Sequence, residues 1–179
     1  MQDDILIRDF REGSDLAFVH LYNRYKHAAY VYCVKILNDA EAAKDIVQGV
    51  FLKVYERRSQ LLHPESFKAW LLIIARNDCL TYLRKATRMS RLDEENEDDV
   101  FALPTSEIDR DEETAIVSRA VARLNPELNE DVILREYENL SYKEIADVLG
   151  VTESIVKSRL FSARQQLYAR LKTIFEERR

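Results

Sequence analysis

A chain of 179 residues with a net charge of −5 and 46% hydrophobic residues is long enough for one or two small domains, each with a core. Only three glycines and three prolines favour helices throughout, and two cysteines without metal-ligand spacing argue against both a disulfide framework and a metal site. The N-terminus lacks the pattern of a secretory signal and no apolar run reaches the length of a membrane span, so we expect a cytoplasmic protein without membrane insertion.

The first half of the chain predicts a bundle of four helices, which forms an N-terminal domain over residues 1–90. Apolar spacing and capping residues place these helices at about 5–11, 15–37, 40–59 and 66–85. On the third helix the apolar residues form one stripe, and the opposite face carries Asp45, Gln48 and Leu52. A single exposed Leu usually has no role, but beside two polar residues it can be the centre of a docking patch.

The fourth predicted helix changes character along its length. Its first half, "WLLIIA", is apolar on nearly every side, whereas its second half is basic. Between Ser66 and Ser90 there are five cations and one acid. The sequence therefore predicts one basic surface in the N-terminal domain.

An acidic segment follows this helix. Residues 91–113 contain eleven acids and two arginines, which gives the segment a charge of −9 and leaves +4 for the rest of the chain. The segment has a proline, few large apolar residues and no helical stripe, so it cannot bury much surface. We predict a flexible linker over 91–113, between domains at 1–90 and 114–179.

The C-terminal domain has the pattern of a helix-turn-helix. Ser141 and Glu144 form a capping box, so a helix begins at the residue after Ser141. Gly150 supplies the turn that follows, and Thr152 can cap the next helix. In that helix, apolar residues recur at steps of three and four and form the buried stripe. They are Val156, Leu160, Ala163, Leu167 and Leu171.

The outer face of this last helix carries the second basic surface. From Ser154 to Lys172 there are five cations and no acid, although the chain as a whole is acidic. The pattern predicts a recognition helix, with central side chains that reach base edges and flanking arginines that hold phosphates. The residues concerned are Lys157, Ser158, Arg159, Phe161, Ser162 and Arg164. The alternative, a solvated basic face on an ordinary bundle, does not explain the missing acids.

Three stretches in register resemble the bacterial RNA polymerase sigma factors of the extracytoplasmic-function group. "LSYKEIADVLGVTESIVKSRLFSAR" is similar to the C-terminal domain of that group, and "EAAKDIVQGVFLKVY" and "FKAWLLIIARNDCLTYLRKATR" are similar to its N-terminal domain. Their order and spacing, with the linker between them, match over about residues 5–172. The expected fold is all-α, with two small helical domains joined by an acidic linker and a helix-turn-helix in the C-terminal one.

The resemblance implies a role for each surface. Asp45, Gln48 and Leu52 would bind core RNA polymerase, and the recognition helix would enter the major groove of a −35 promoter element. The fourth helix would recognise and help to open the −10 element, through Arg76, Asn77, Arg84, Lys85 and Arg88. An anti-sigma factor is an expected partner, whereas no enzymatic activity, cofactor, metal or catalytic residue is expected.

Some positions depart from the family pattern, among them Gly49, Thr81 and Ser162. Gly49 stands where an acid usually follows the glutamine of the docking patch. Thr81 replaces the usual aspartate of the fourth helix, and Ser162 stands where an arginine is common, which removes a candidate bidentate contact with guanine.

Two other classes of protein remain open at this point. A repressor or activator could use the helix-turn-helix without polymerase, but it would usually read two half-sites as a dimer, whereas this chain has a second basic surface of its own. A helical adaptor that binds only protein would show no salt-dependent association with DNA.

Overall fold

The computed structural model describes residues 3–61, 67–90 and 112–176 and, within them, contains eight α-helices and no strand. The chain divides into two compact units, Met1–Ala102 and Leu103–Arg179. The predicted all-α fold with two small helical domains is therefore confirmed. The predicted linker lies outside the described residues up to residue 111, so its limits stay a prediction. None of the described helices has both the length and the apolar character that are needed to cross a membrane.

The first unit is a bundle of four helices whose ends are set by local capping. Ser14 caps the second helix by accepting a hydrogen bond from the Ala17 N–H at 3.2 Å. Asn38 ends it in the left-handed conformation with φ 53°, and Asp39 caps the third. The helices are α1 (Asp3–Arg11), α2 (Asp15–Leu37), α3 (Ala40–Glu56) and α4 (Phe67–Ser90).

Two helix ends differ from the prediction. The third helix ends at Glu56 rather than at residue 59, because Arg58–Gln60 tighten into a 3₁₀ turn, which is common at the end of an α-helix. The fourth helix continues to Ser90, five residues beyond the predicted end, and residues 86–89 contain no helix-breaking glycine or proline.

Large aromatic side chains fill the core of the first unit. Phe10 of α1 stacks on Phe18 of α2 with ring centroids 5.6 Å apart, and Phe67 of α4 lies 5.0 Å from Tyr25 of α2. The apolar first half of α4 is buried among these helices, as Leu71 and Leu72 show. This burial fixes α4 along its first half and leaves its second half free for other contacts.

The second unit places the helix-turn-helix on two earlier helices. The helices are α5 (Glu112–Ala122), α6 (Pro126–Val132), α7 (Tyr142–Leu149) and α8 (Glu153–Glu176), with a π-helical segment Ile133–Tyr137 after α6. Asn125 caps α6, and Pro126 occupies its first turn, where a missing N–H has no cost. Helix α8 packs against α5, α6 and α7, so three helices support it.

The turn between α7 and α8 forms as the sequence predicts. The Ser141 Oγ accepts from the Glu144 N–H at 3.2 Å, and the Glu144 carboxylate accepts from the Ser141 N–H at 2.8 Å, which completes the capping box. Gly150 has φ 69°, a left-handed conformation that a side chain would strain. Thr152 caps α8 through the Ile155 N–H at 3.3 Å.

Candidate nucleic-acid interface

The outer face of α8 presents the predicted recognition residues. Lys157, Ser158 and Phe161 are exposed, with 63% of Phe161 accessible, whereas Ser162 is half-buried. The Lys157 Nζ lies 5.9 Å from the ring centroid of Tyr142, the first residue of α7. Polar donors and one aromatic ring are thus grouped on the first turns of α8, beside the start of α7, as in a helix that reads a major groove.

The inner face of α8 is buried over its first half only. Val156, Leu160 and Ala163 are buried, but Leu167 and Leu171 are half-buried. In α7, Ile145, Ala146 and Val148 are buried and Leu149 is half-buried, so the core face of α7 includes Val148, one helical turn after Ile145.

The two arginines that flank this face are both bound to acids of the same unit. Arg164 pairs with Glu136 at 3.2 Å, and both side chains are more than half exposed. A pair so exposed contributes little stability, so Arg164 can exchange its partner for a phosphate. Arg159 is only 22% exposed and pairs with Glu127 at 2.7 Å. Its guanidinium therefore lies against α6, not on the outer face of α8.

Arg159 also faces a buried carboxylate, which the sequence reasoning missed. The Arg159 guanidinium lies 3.7 Å from the Asp131 carboxylate, and Asp131 is fully buried. Neither oxygen of Asp131 accepts a hydrogen bond from any residue that the structure describes. Burial raises the pKa of Asp131 to about 6 against the opposing effect of Arg159, and Glu130 and Glu127 raise it further.

Substitution of Asp131 by Asn should make the second unit more stable at pH 8 but not at pH 4. Below pH 4 the carboxyl is protonated in both the folded and the unfolded chain. Between pH 4 and 6 only the folded chain keeps the proton. Above pH 6, ionisation of the buried carboxyl therefore lowers the free energy of unfolding by up to about 3 kcal/mol. Asn has no such cost. Chemical unfolding of both proteins across this range measures the difference, and an equal difference at both pH values would contradict the assignment.

The second half of α4 forms the other basic surface. Asn77, Arg84, Lys85 and Arg88 are exposed, and Arg76 is half-buried. At about 100° per residue, Asn77, Arg84 and Arg88 fall within an arc of about 40°, with Arg76 and Lys85 on either side. Residues 81–89 include no buried side chain. The last turns of α4 thus present their cations without support from a core.

Two contacts shape the charge of this α4 surface. Asp78, the only acid of α4, is paired with Lys53 of α3, so its charge is neutralised at the side of the bundle. The Thr81 hydroxyl donates to the Asn77 carbonyl oxygen at 2.8 Å, within the helix itself. Because this hydrogen bond goes to the backbone of Asn77, the Asn77 side chain remains available to other partners. Because Thr81 carries no charge, the net charge of the surface stays positive.

A third surface, on α3, holds the predicted docking patch. Asp45, Gln48 and Leu52 are all exposed, and 67% of Leu52 is accessible. Their steps of three and four residues place them on one face. Among the described residues, neither Asp45 nor Gln48 has a hydrogen bond or an ion pair. The α3 patch is therefore an apolar side chain beside two polar groups without partners, which suits protein binding.

Gly49 lies in the same row of α3, and its replacement by Ala should stabilise the first unit. A Cβ added at Gly49 would meet no atom within 4 Å, and glycine inside a helix costs about 1 kcal/mol relative to alanine. We therefore expect Gly49→Ala to raise the free energy of unfolding by about 1 kcal/mol, as measured by urea unfolding. Gly13→Ala is the matched control in the same unit and should lower it, because its φ of 99° is strained for any side chain. Effects of equal sign would contradict this reading.

The described part of the chain shows no group of side chains arranged to bind a metal ion. No three His, Cys, Asp or Glu residues are placed there as metal ligands. Cys33 and Cys79 are both buried, and neither forms a disulfide bond. The three surfaces described above are made of charge and exposed apolar area.

The sequence matches two family descriptions and several characterised proteins. Residues 21–89 match Sigma-70 region 2, and residues 114–167 match Sigma-70 region 4. The RNA polymerase sigma-H factor of Pseudomonas aeruginosa is 31% identical, with 98% of this chain and 97% of that protein covered. The ECF RNA polymerase sigma-E factor of Escherichia coli is 28% identical, with 93% of each chain covered.

Solved structures share this fold. CnrH, in complex with the cytosolic domain of CnrY, superimposes with a TM-score of 0.71 at 24% identity and covers 96% of this chain and 97% of its own. The sigma factor RpoE of Bartonella quintana, in complex with the anti-sigma factor NepR, gives a TM-score of 0.72 at 24% identity, with 87% and 96% covered. At this identity the likeness supports the fold alone.

Proposed function

This chain belongs to the sigma-70 family, in the extracytoplasmic-function group, and as a sigma factor it binds core RNA polymerase and directs promoter-specific initiation; we propose that its two exposed basic helices divide promoter recognition between them. The observation that carries the proposal is that the described part of each unit presents a basic helical surface outside its core. One chain can then recognise two DNA elements without forming a dimer.

Helix α8 is proposed to recognise the −35 element. Lys157 and Ser158 donate hydrogen bonds to base edges, and Phe161 makes apolar contact with a thymine methyl group. Ser162 is half-buried, which limits it to a short contact at the edge of the face. Arg164 exchanges the exposed Glu136 for a phosphate. Arg159 is expected from the sequence to hold the DNA backbone as well, whereas in the structure it pairs with Glu127 of α6.

Helix α4 is proposed to recognise the −10 element and to help to open it. The narrow row of Asn77, Arg84 and Arg88 provides donors for phosphates and exposed bases, and Arg76 and Lys85 extend the positive charge to both sides. Lack of a supporting core under residues 81–89 suits a surface that has to enter separated strands.

The α3 patch is proposed to bind core RNA polymerase. The patch combines an exposed Leu52 with the carboxylate of Asp45 and the amide of Gln48, none of which is used inside the bundle. A positively charged helix of the polymerase, with an apolar groove for Leu52, is the complementary surface.

We also propose that an anti-sigma factor holds this protein inactive. We propose further that this protein acts in the cytoplasm and has no enzymatic activity of its own. The two solved structures of similar fold were determined with the anti-sigma factor NepR and with the cytosolic domain of CnrY. These partners belong to those proteins, and they support the same mode of control here.

Run-off transcription with purified core RNA polymerase tests the proposal. The polymerase is incubated with a library of genomic fragments, with and without this protein, and the new transcripts are mapped. We expect new start sites that share two short elements upstream. No redirected initiation would contradict the proposed function, and a single shared element would contradict the division between α8 and α4.

A further inference from the structure

We propose that Asp131 is a positioning residue for promoter recognition: it anchors Arg159 and so fixes the rotation of α8 about its own axis. This inference rests on the proposed function, because it concerns how α8 presents its side chains to a −35 element. It assigns to Arg159 a contact within the protein in place of a contact with a phosphate.

The position of Arg159 on α8 makes it an effective anchor point. At about 100° per residue, Arg159 lies about 60° from the buried Val156 and about 160° from Phe161 on the outer face. A restraint at Arg159 therefore acts at the edge of the core stripe, beside the apolar contacts of α8. Any rotation there moves Lys157, Ser158 and Phe161 relative to the bases.

Two carboxylates of α6 hold the guanidinium from different depths. Glu127, 68% exposed, lies 2.7 Å from Nη2, and the buried Asp131 lies 3.7 Å from Nη1. The two acids stand four residues apart on one face of α6, so both face α8. A planar guanidinium with fixed donors is oriented by two such partners, whereas one exposed partner would leave it free to turn.

Stability does not account for Asp131. Its helix neighbours Leu128 and Val132 are buried apolar residues, and an apolar side chain at position 131 would avoid the cost of desolvating a carboxylate. Both oxygens of Asp131 lack a hydrogen bond from any described residue, so the Arg159 charge is their main compensation. A carboxylate at position 131 attracts the Arg159 guanidinium from a fixed direction, which a leucine cannot do. The contribution of Asp131 is therefore the orientation of Arg159.

Ionisation of Asp131 changes this attraction and few others. Its charged neighbours are Arg159 on α8 and Glu127 and Glu130 on α6. On the π-helical segment, the Arg135 guanidinium donates to the Leu140 carbonyl oxygen and Glu136 binds Arg164. Arg119 of α5 and Arg123, which directly follows that helix, line a different groove of about 560 Å³ together with Arg170. The pKa of Asp131 is raised to about 6 by burial, so the anchor loses its charge as the pH falls below that value.

The test compares Asp131→Asn and Asp131→Leu with the unmodified full chain, each assembled with core RNA polymerase. The quantity measured is the ratio of affinities for a promoter with an intact −35 element and for one with that element scrambled, from pH 5.5 to 8. At pH 8 we expect both variants to lower this ratio by roughly tenfold, the size of one mispositioned base contact. The ratio for the unmodified chain should fall between pH 8 and 5.5, and the variants should show no such fall. Glu113→Gln on α5, which also removes one negative charge, should behave as the unmodified chain.

Unfolding of the same samples separates positioning from mere stabilisation. We expect the variants to be at least as stable as the unmodified chain at pH 8 and yet to discriminate less. A loss of discrimination that follows a loss of stability would overturn the inference, as would an unchanged ratio. A raised ratio would overturn it too, because Arg159 would then have been released to bind phosphate. If the unmodified chain itself ignores the −35 element, the proposed function of α8 fails, and that outcome is distinct from the others.

Discussion

Replacement of Lys157 by Glu is expected to abolish initiation at promoters that depend on the −35 element, while the protein still assembles with core RNA polymerase. Lys157 is exposed on the outer face of α8, and its ammonium can donate to acceptor atoms of guanine or to a phosphate. The substitution removes that contact and places a negative charge against the DNA. We expect run-off transcription to fall by roughly 100-fold, which corresponds to one lost base contact and one new repulsion of similar size.

Lys172→Glu provides the matched control for this experiment. It makes the same change of charge on the same helix, about 22 Å further along its axis. Lys172 is exposed and lies 3.8 Å from Glu176, so its loss disturbs no core contact. Transcription by this variant should change little, whereas Lys157→Glu should lower it by roughly 100-fold. An equal loss in both variants would indicate a general effect of charge, not recognition by the outer face of α8.

Local signals in the sequence were sufficient for most of the fold. Ser14 and the Ser141–Glu144 pair act within one helical turn of their own positions, so their effect on helix ends can be read without knowledge of the tertiary structure. The exposure of Leu52 could be predicted for a similar reason, since the apolar stripe of α3 lies on the opposite side.

The surroundings of Arg159 could not be predicted in this way. A helical wheel places Arg159 at the flank of α8, and it gives no information about which element lies beside that flank. Asp131 precedes Arg159 by 28 residues, and the two meet only because α6 packs against α8. The only signal was an aspartate directly before the apolar residues Val132, Ile133 and Leu134. When a charged residue stands where the helical spacing of apolar residues predicts a core position, it indicates a buried ion pair. This pattern can be searched for in other sequences.

A substitution in the α3 patch is expected to have the opposite effect, a loss of binding to core RNA polymerase. Asp45→Arg should weaken binding to core RNA polymerase by roughly 100-fold, because reversal of one charge in a desolvated interface costs at least as much as its removal. Asp45 is exposed and has no partner in the described part of the bundle, so folding should be unaffected. Titration of labelled protein with core polymerase measures this affinity directly.

Glu12→Arg is the control for docking, since Glu12 is also exposed in the first unit and lies outside the α3 patch. It should bind polymerase as the unmodified chain does. Leu52→Ala should weaken docking as well, because it removes exposed apolar area without disturbing the core. The decisive comparison is between Asp45→Arg and Lys157→Glu in the same assay. If both variants lost docking equally, the polymerase contact would not be confined to the α3 patch, and α8 would have to be part of it.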